Sequence, residues 1–186
     1  MAIRIDGKAL AAKVKEQVRA EAAKLRRQAG LAVILVGENP ASKVYVAGKE
    51  KDCAECGIRS FPHKLPEETT QEELLDLIRT LNDDPAVDGI LCQLPLPRHL
   101  DEEAVINAIR PDKDVDCFHP FNVGRMVIGE PVFLPCTPSG VMEMLKEYEI
   151  PIRGKRCVVL GRSNIVGKPM SMLLTQADGT VTTCHS

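Results

Sequence analysis

Apolar positions change their period several times along the chain. Leu10, Val14, Val18 and Leu25 fall on one helical stripe behind Asp6, a residue suited to capping. This predicts a helix from Asp6 to about Gln28, with Gly30 as its stop. Leu31 to Gly37, LAVILVG, is then apolar without a break, as a strand buried on both faces of a parallel sheet should be. Pro40 to Gly57 reads as a second helix and Ile58 to Leu65 as a second strand. Thr70-x-x-Glu73 is a capping box opening a helix with Leu74, Leu75, Ile78 and Leu81 inward, and Asp83-Asp84-Pro85 closes it. Val87 to Leu94 reads as a third strand, because Pro95 cannot continue a central ladder. A short helix is predicted from Asp101 to about Ile109.

The second half is punctuated differently. Pro111 to Gly129 shows little periodicity and reads as a long irregular segment, the kind that is often functional. Thr137 is read as an N-cap with Pro138 at the first helical position, starting a helix through Tyr148 with Val141, Met144, Leu145 and Tyr148 inward. Arg156 to Gly161 reads as another buried strand, followed by a glycine-bearing loop, a helix around Met170 to Leu174 and a strand from Thr180 to Ser186. Alternation of strand and helix implies an α/β fold with largely parallel sheets. The best boundary is near Pro120, dividing residues 1–121 from 122–186. The last portion is one βαβ unit, the opening of a dinucleotide-binding fold. It is therefore expected to be an incomplete Rossmann-like domain whose C-terminal remainder is absent.

Composition removes several function classes. With 44% hydrophobic and 27% charged residues, the chain matches ordinary globular proteins. A formal net charge of −2 carries no nucleic-acid footprint. No apolar run is long enough to span a bilayer, and the first residues lack a signal-peptide pattern. Seven cysteines, an odd number scattered through the chain, argue against a disulfide framework and for a reducing cytoplasm. Cys53-x-x-Cys56 closes a helix, whereas redox pairs open one, so buried thiols are the better reading. No second close pair exists to complete a zinc site, and the four histidines are dispersed. No metal is expected.

Four stretches are candidates for chemistry. Ser42, Tyr45 and Lys49 are spaced i, i+3, i+7, which places a ring and an amine together on one side of a rigid helix. An amine used for acid/base work needs such placement, although a solvated helix has the same pattern. Gln93-Leu94-Pro95-Leu96-Pro97 follows a strand at the edge where open α/β sheets bind ligands, or is a stiff strand exit. Lys113-Asp114-Val115-Asp116 can accept hydrogen bonds from a ligand amine, hold a metal or lie in a solvated loop. Gly161 to Gly167, GRSNIVG, sits between strand and helix, where backbone N–H groups bind pyrophosphate. Its spacing departs from G-x-G-x-x-G, so a plain tight turn is the alternative. No acidic residue ends the following strand, Cys184-His185-Ser186, and Arg162 and Ser186 can instead hold a 2′-phosphate. NADP is thereby favoured over NAD.

These blocks together resemble the bifunctional methylenetetrahydrofolate dehydrogenase/methenyltetrahydrofolate cyclohydrolase family. The resemblance rests on SKVYVAGKEKDCAECGI, DGILCQLPLPRHL, PDKDVDCFHPFNVGRM, PCTPSGVMEML, GKRCVVLGRSNIVGKPM and TVTTCHS, in the family's order and with about its spacing. It implies a two-domain α/β protein with a folate-binding catalytic domain, an NADP-binding domain and the active site in a cleft between them. It also implies a cytoplasmic homodimer acting on tetrahydrofolate derivatives, in one-carbon metabolism and purine biosynthesis. The expected reactions are NADP-linked oxidation of 5,10-methylenetetrahydrofolate and hydrolysis of the 5,10-methenyl product to 10-formyltetrahydrofolate. Carried over onto this chain, Lys49 is the catalytic lysine and Gln93 its hydrogen-bonding partner. Tyr45 packs on the folate rings, Pro95 belongs to the same substrate site, and Asp116 accepts from the pterin's amino edge. Gly161, Arg162, Ser163 and Ser186 take the cofactor positions. One departure is local: Cys117 stands where many relatives have Gly, although Cys disfavours φ > 0.

Overall fold

Leu31 to Val36 lies in the middle of a parallel sheet because both its faces are apolar. The computed structural model describes residues 3–185. Its elements are α1 (Gly7–Ala22), β1 (Gly30–Val36), α2 (Pro40–Cys56), β2 (Arg59–Leu65), α3 (Gln71–Asp83), β3 (Gly89–Cys92) and α4 (Glu102–Ala108), followed by α5 (Pro120–Val127), α6 (Cys136–Glu147), β4 (Arg156–Leu160), α7 (Gly167–Gln176) and β5 (Thr180–Cys184). The chain divides into two compact units, one from Ala12 to Val115 and one made of the segment through Ala11 and the chain from Asp116 onward. Both sheets are parallel, so the architecture is two-domain α/β.

In the first unit the strand order is β2-β1-β3. Ala32, Ile34 and Val36 pack with Leu74, Ile78 and Leu81 of α3 and Val105 of α4. The alternate residues Val33 and Leu35 pack with Val46 of α2 and with Leu91. Each fully buried aliphatic side chain there contributes about 1.5–3 kcal/mol. The Thr70 capping box is present in full: Thr70 Oγ1 accepts from Glu73 N and Glu73 accepts from Thr70 N.

Asp6 caps α1 as expected, accepting from Lys8 N and Ala9 N. The helix stops at Ala22, however, and Leu25 beyond it is 54% exposed. Arg27 is drawn instead into a two-pronged pair with Asp88, whose carboxylate also accepts from Gly30 N at 2.8 Å. Gly30 is thus the first residue of β1 and not a helix stop. A Cβ there would lie 2.0 Å from Ala86 O and 2.8 Å from the Phe61 ring.

The second unit holds the two-stranded sheet β4-β5, joined by α7. Cys117, Met126, Val159, Met170, Leu173 and Leu174 form its core. Four expectations change here. The stretch read as irregular contains α5, begun by Pro120 and capped by His119 Nδ1, which accepts from Phe121 N at 3.1 Å. Helix α6 starts at Cys136, so Thr137 lies inside the first turn and Pro135, with its fixed φ of −58°, precedes it. Strand β4 is buried on one face only: Val158 is 63% and Leu160 85% exposed. Helix α7 begins at Gly167, earlier than Met170. Cys117 does adopt φ 57°, and burial of its thiol in the core offsets the cost of that conformation.

Candidate active site

Asn39 fixes the start of α2. Its side chain accepts from Ala41 N and Ser42 N at 3.0 and 3.1 Å, and Pro40 supplies a preset first turn. Gly57, at φ 75°, ends the helix in the left-handed conformation. Ser42, Val46, Cys53 and Cys56 are the buried residues of the helix; Val46 packs against Val33 and Leu35 of β1, and the Cys56 thiol donates to Lys15 O of α1. Ser42 is buried, whereas Tyr45 is 65% exposed. Lys49 is half-buried on the flank toward β3. Its Nζ donates to Gln93 Oε1 at 3.1 Å, and Gln93 Nε2 donates to Leu94 O at 2.7 Å. Gln93 N donates to Ile34 O, which continues the β1–β3 ladder by one residue. The pair thus sits at the C-terminal edge of β1 and β3, where the strand order reverses and open α/β sheets bind ligands. Pro95, exposed, follows two residues later, and the Leu94–Pro95 peptide is cis.

The KDVD stretch is not a solvated loop. Lys113 and Asp114 are buried, Ile90 N donates to Lys113 O at 2.7 Å, and Asp114 forms a parallel bridge with Ile90. Val115 seats against Gly89, where a Cβ would meet Val115 Cγ1 at 2.4 Å. Asp116, half-buried, is where the chain passes to the other unit. Among the described residues no group of three or more His, Cys, Asp or Glu side chains is arranged to hold a metal ion. No helix among them is long and apolar enough to cross a membrane. Cys53 and Cys56 are buried free thiols, and burial pushes the Cys53 thiol up.

In the second unit, Leu160, Gly161, Arg162, Cys184 and His185 line an open crevice of about 680 Å³ past the ends of β4 and β5. Gly161 has φ 127°, and a Cβ there would stand in open space, so its backbone is available for close approach by a ligand. Gly167 does the opposite: a Cβ would lie 2.3 Å from Gly161 O. Ser163 Oγ accepts from Val166 N and Gly167 N, both at 3.2 Å, and so closes the loop. Arg162 is exposed, and Ser186 lies outside the described residues. Cys184 and His185 were not expected at this site, although their place at a parallel strand's C-terminal end was the available signal.

The family model for the tetrahydrofolate dehydrogenase/cyclohydrolase catalytic domain matches residues 5–116, and that for the family's NAD(P)-binding domain matches residues 135–186. The bifunctional protein FolD of Acetivibrio thermocellus is 61% identical over 98% of the chain, and that of Streptococcus pneumoniae 58% over 98%. The chain spans 65% of the length of each. The crystal structure of the bifunctional enzyme FolD from Campylobacter jejuni superposes with a TM-score of 0.95 at 52% identity, over 97% of this chain and 66% of that one. The Trypanosoma brucei enzyme, solved with NADP cofactor and an inhibitor, has a TM-score of 0.95 at 43% identity, over 99% of this chain and 64% of that one. This chain belongs to the tetrahydrofolate dehydrogenase/cyclohydrolase family.

Proposed function

We propose that the chain carries the folate chemistry of an enzyme that oxidises 5,10-methylenetetrahydrofolate with NADP and hydrolyses the 5,10-methenyl product to 10-formyltetrahydrofolate. The observation that carries this is the hydrogen bond from Lys49 Nζ to Gln93 Oε1 at the ligand-binding edge of the sheet. The methenyl bridge is a cation, already electrophilic toward water. Water adds to the bridging carbon, the bond from that carbon to N5 breaks, one proton ends on N5 and one leaves to solvent. Lys49 assists these transfers, and Gln93 holds the amine in place. Donation from Gln93 Nε2 to Leu94 O supports this by fixing which end of the amide faces the lysine. Tyr45 packs on the folate rings, Pro95 lines the same site and Asp116 accepts from the pterin's amino edge. Lys49, Gln93 and Asp116 are the catalytic set.

NADP, when bound, supplies the acceptor for the hydride. Gly161, Arg162, Ser163 and Ser186 hold it, with Arg162 and Ser186 toward the 2′-phosphate. The open backbone at Gly161 and the tight approach of Gly167 suit a pyrophosphate at the start of α7. Residues 1–121 form the folate domain and the cofactor domain begins at residue 122. The working enzyme is a cytoplasmic homodimer feeding 10-formyltetrahydrofolate to purine biosynthesis. Seven free thiols suit that reducing compartment.

Hydrolysis of 5,10-methenyltetrahydrofolate by this chain, against its Lys49→Met variant, tests the proposal. The variant should lose about a hundredfold or more while melting like the parent. Undiminished hydrolysis in the variant would remove Lys49 from the mechanism. Titration with NADPH and NADH should show tighter binding of NADPH.

A further inference from the structure

A lysine buried to 8% exposure is costly to desolvate and calls for a specific use. Lys113 Nζ donates to Leu81 O and to Asp84 O, both at 2.9 Å, at the carbonyl end of α3. The last turn of α3 has no basic residue of its own, so a lysine about thirty positions downstream supplies the cation its dipole favours. Beside it, Asn82 Nδ2 donates to Ala108 O at 2.8 Å and Asn82 Oδ1 accepts from Arg110 N at 3.0 Å. The chain between α4 and residue 113 is thereby tied to the end of α3 at three places.

The next residues are pinned as well. Lys113 O accepts from Ile90 N, Asp114 bridges Ile90, and Val115 fills the space left by Gly89. Consecutive Cα atoms are about 3.8 Å apart, so Asp116 can lie no further than one such step from a fixed Val115.

We propose that Lys113, together with Asn82, is a positioning clamp that sets the carboxylate of Asp116 for its pterin contact. This rests on the role proposed for Asp116. Lys113 touches no substrate and acts through the chain it anchors. A methionine at this position keeps most of the volume but leaves Leu81 O and Asp84 O without their donor, and lets the 113–115 segment slide along β3.

The test is a double-mutant cycle on tetrahydrofolate affinity, with a thermal melt of each variant. Asp116→Asn should weaken binding about tenfold. Lys113→Met should weaken it to a similar extent and lower the melting midpoint. The double variant should bind no more weakly than Asp116→Asn alone. A lysine with only a structural role would lower the midpoint and leave the affinity of the folded chain untouched, which overturns the clamp. Equal losses from Lys113→Met in both backgrounds overturn it too. If Asp116→Asn binds like the parent, the role of Asp116 itself has failed, and the clamp's function with it. Should Lys113→Met not fold, Asn82→Ala breaks the same clamp at Ala108 and Arg110 and must show the same dependence on Asp116.

Discussion

Lys49 Nζ and Gln93 Oε1 stand 3.1 Å apart although 44 positions separate the two residues in the chain. The amide accepts from the amine and carries no charge. Replacing it by a carboxylate puts a negative charge in the same place and favours the ammonium form. Gln93→Glu should therefore slow hydrolysis of 5,10-methenyltetrahydrofolate by about tenfold or more while the melting midpoint stays near the parent's. Hydrolysis at the parent's rate would show that the amide does not govern the lysine.

Acid stability should depend on Asp88. The Arg27 guanidinium, first, and then the Gly30 N–H hold its carboxyl below the ordinary 3.8, against partial desolvation. Glu73 is likewise held below 4.5, chiefly by the Thr70 backbone N–H. Both folded values lie below the unfolded ones. Their contribution is present above the ordinary carboxylate range and is lost as pH falls through the depressed values. The melting midpoint should stay level near neutrality and decline below about pH 4. Asp88→Asn should melt lower than the parent at neutral pH, and the gap should narrow toward about pH 3. A constant gap across that range would rule out the linkage.

Gly167→Ala should separate close packing from mere helix propensity. Its Cβ would meet Gly161 O at 2.3 Å and Arg162 N at 2.8 Å, backbone atoms that must shift. A loss of about 1–3 kcal/mol in urea unfolding is expected, with weaker NADPH binding. Gly140, inside α6, has nothing within 4 Å of a Cβ, so Gly140→Ala should raise stability by up to about 1 kcal/mol. Equal behaviour of the two variants would contradict the tight approach of strand and helix.

Most of the first unit was legible because its signals are local. The unbroken apolar run of β1, the Thr70 capping box and the Gly57 stop of α2 each act within a few residues. Helix α5 was missed because it spans only eight residues and a histidine cap and one proline are faint signals. The end of α1 was misplaced because Arg27 leaves the helix for Asp88, 61 positions away. The exposed face of β4 was likewise unreadable, since an apolar strand has the same sequence whether or not a layer covers it. Of the residues lining the crevice past β4 and β5, the sequence singles out Gly161 and Arg162 as site candidates and not His185.

The order of apolar runs, caps and glycines by itself determined the alternation of helix and strand and the parallel sheets, because local backbone preferences and hydrophobic period are written residue by residue; the family came from the resemblance of six motif blocks in order. The tertiary structure brought together the Lys49–Gln93 pair that the resemblance implied, and it alone decided that Ser42 is buried and that Lys113 is buried against the end of α3. Those facts depend on which elements the sheet brings side by side, and no spacing along the chain encodes that.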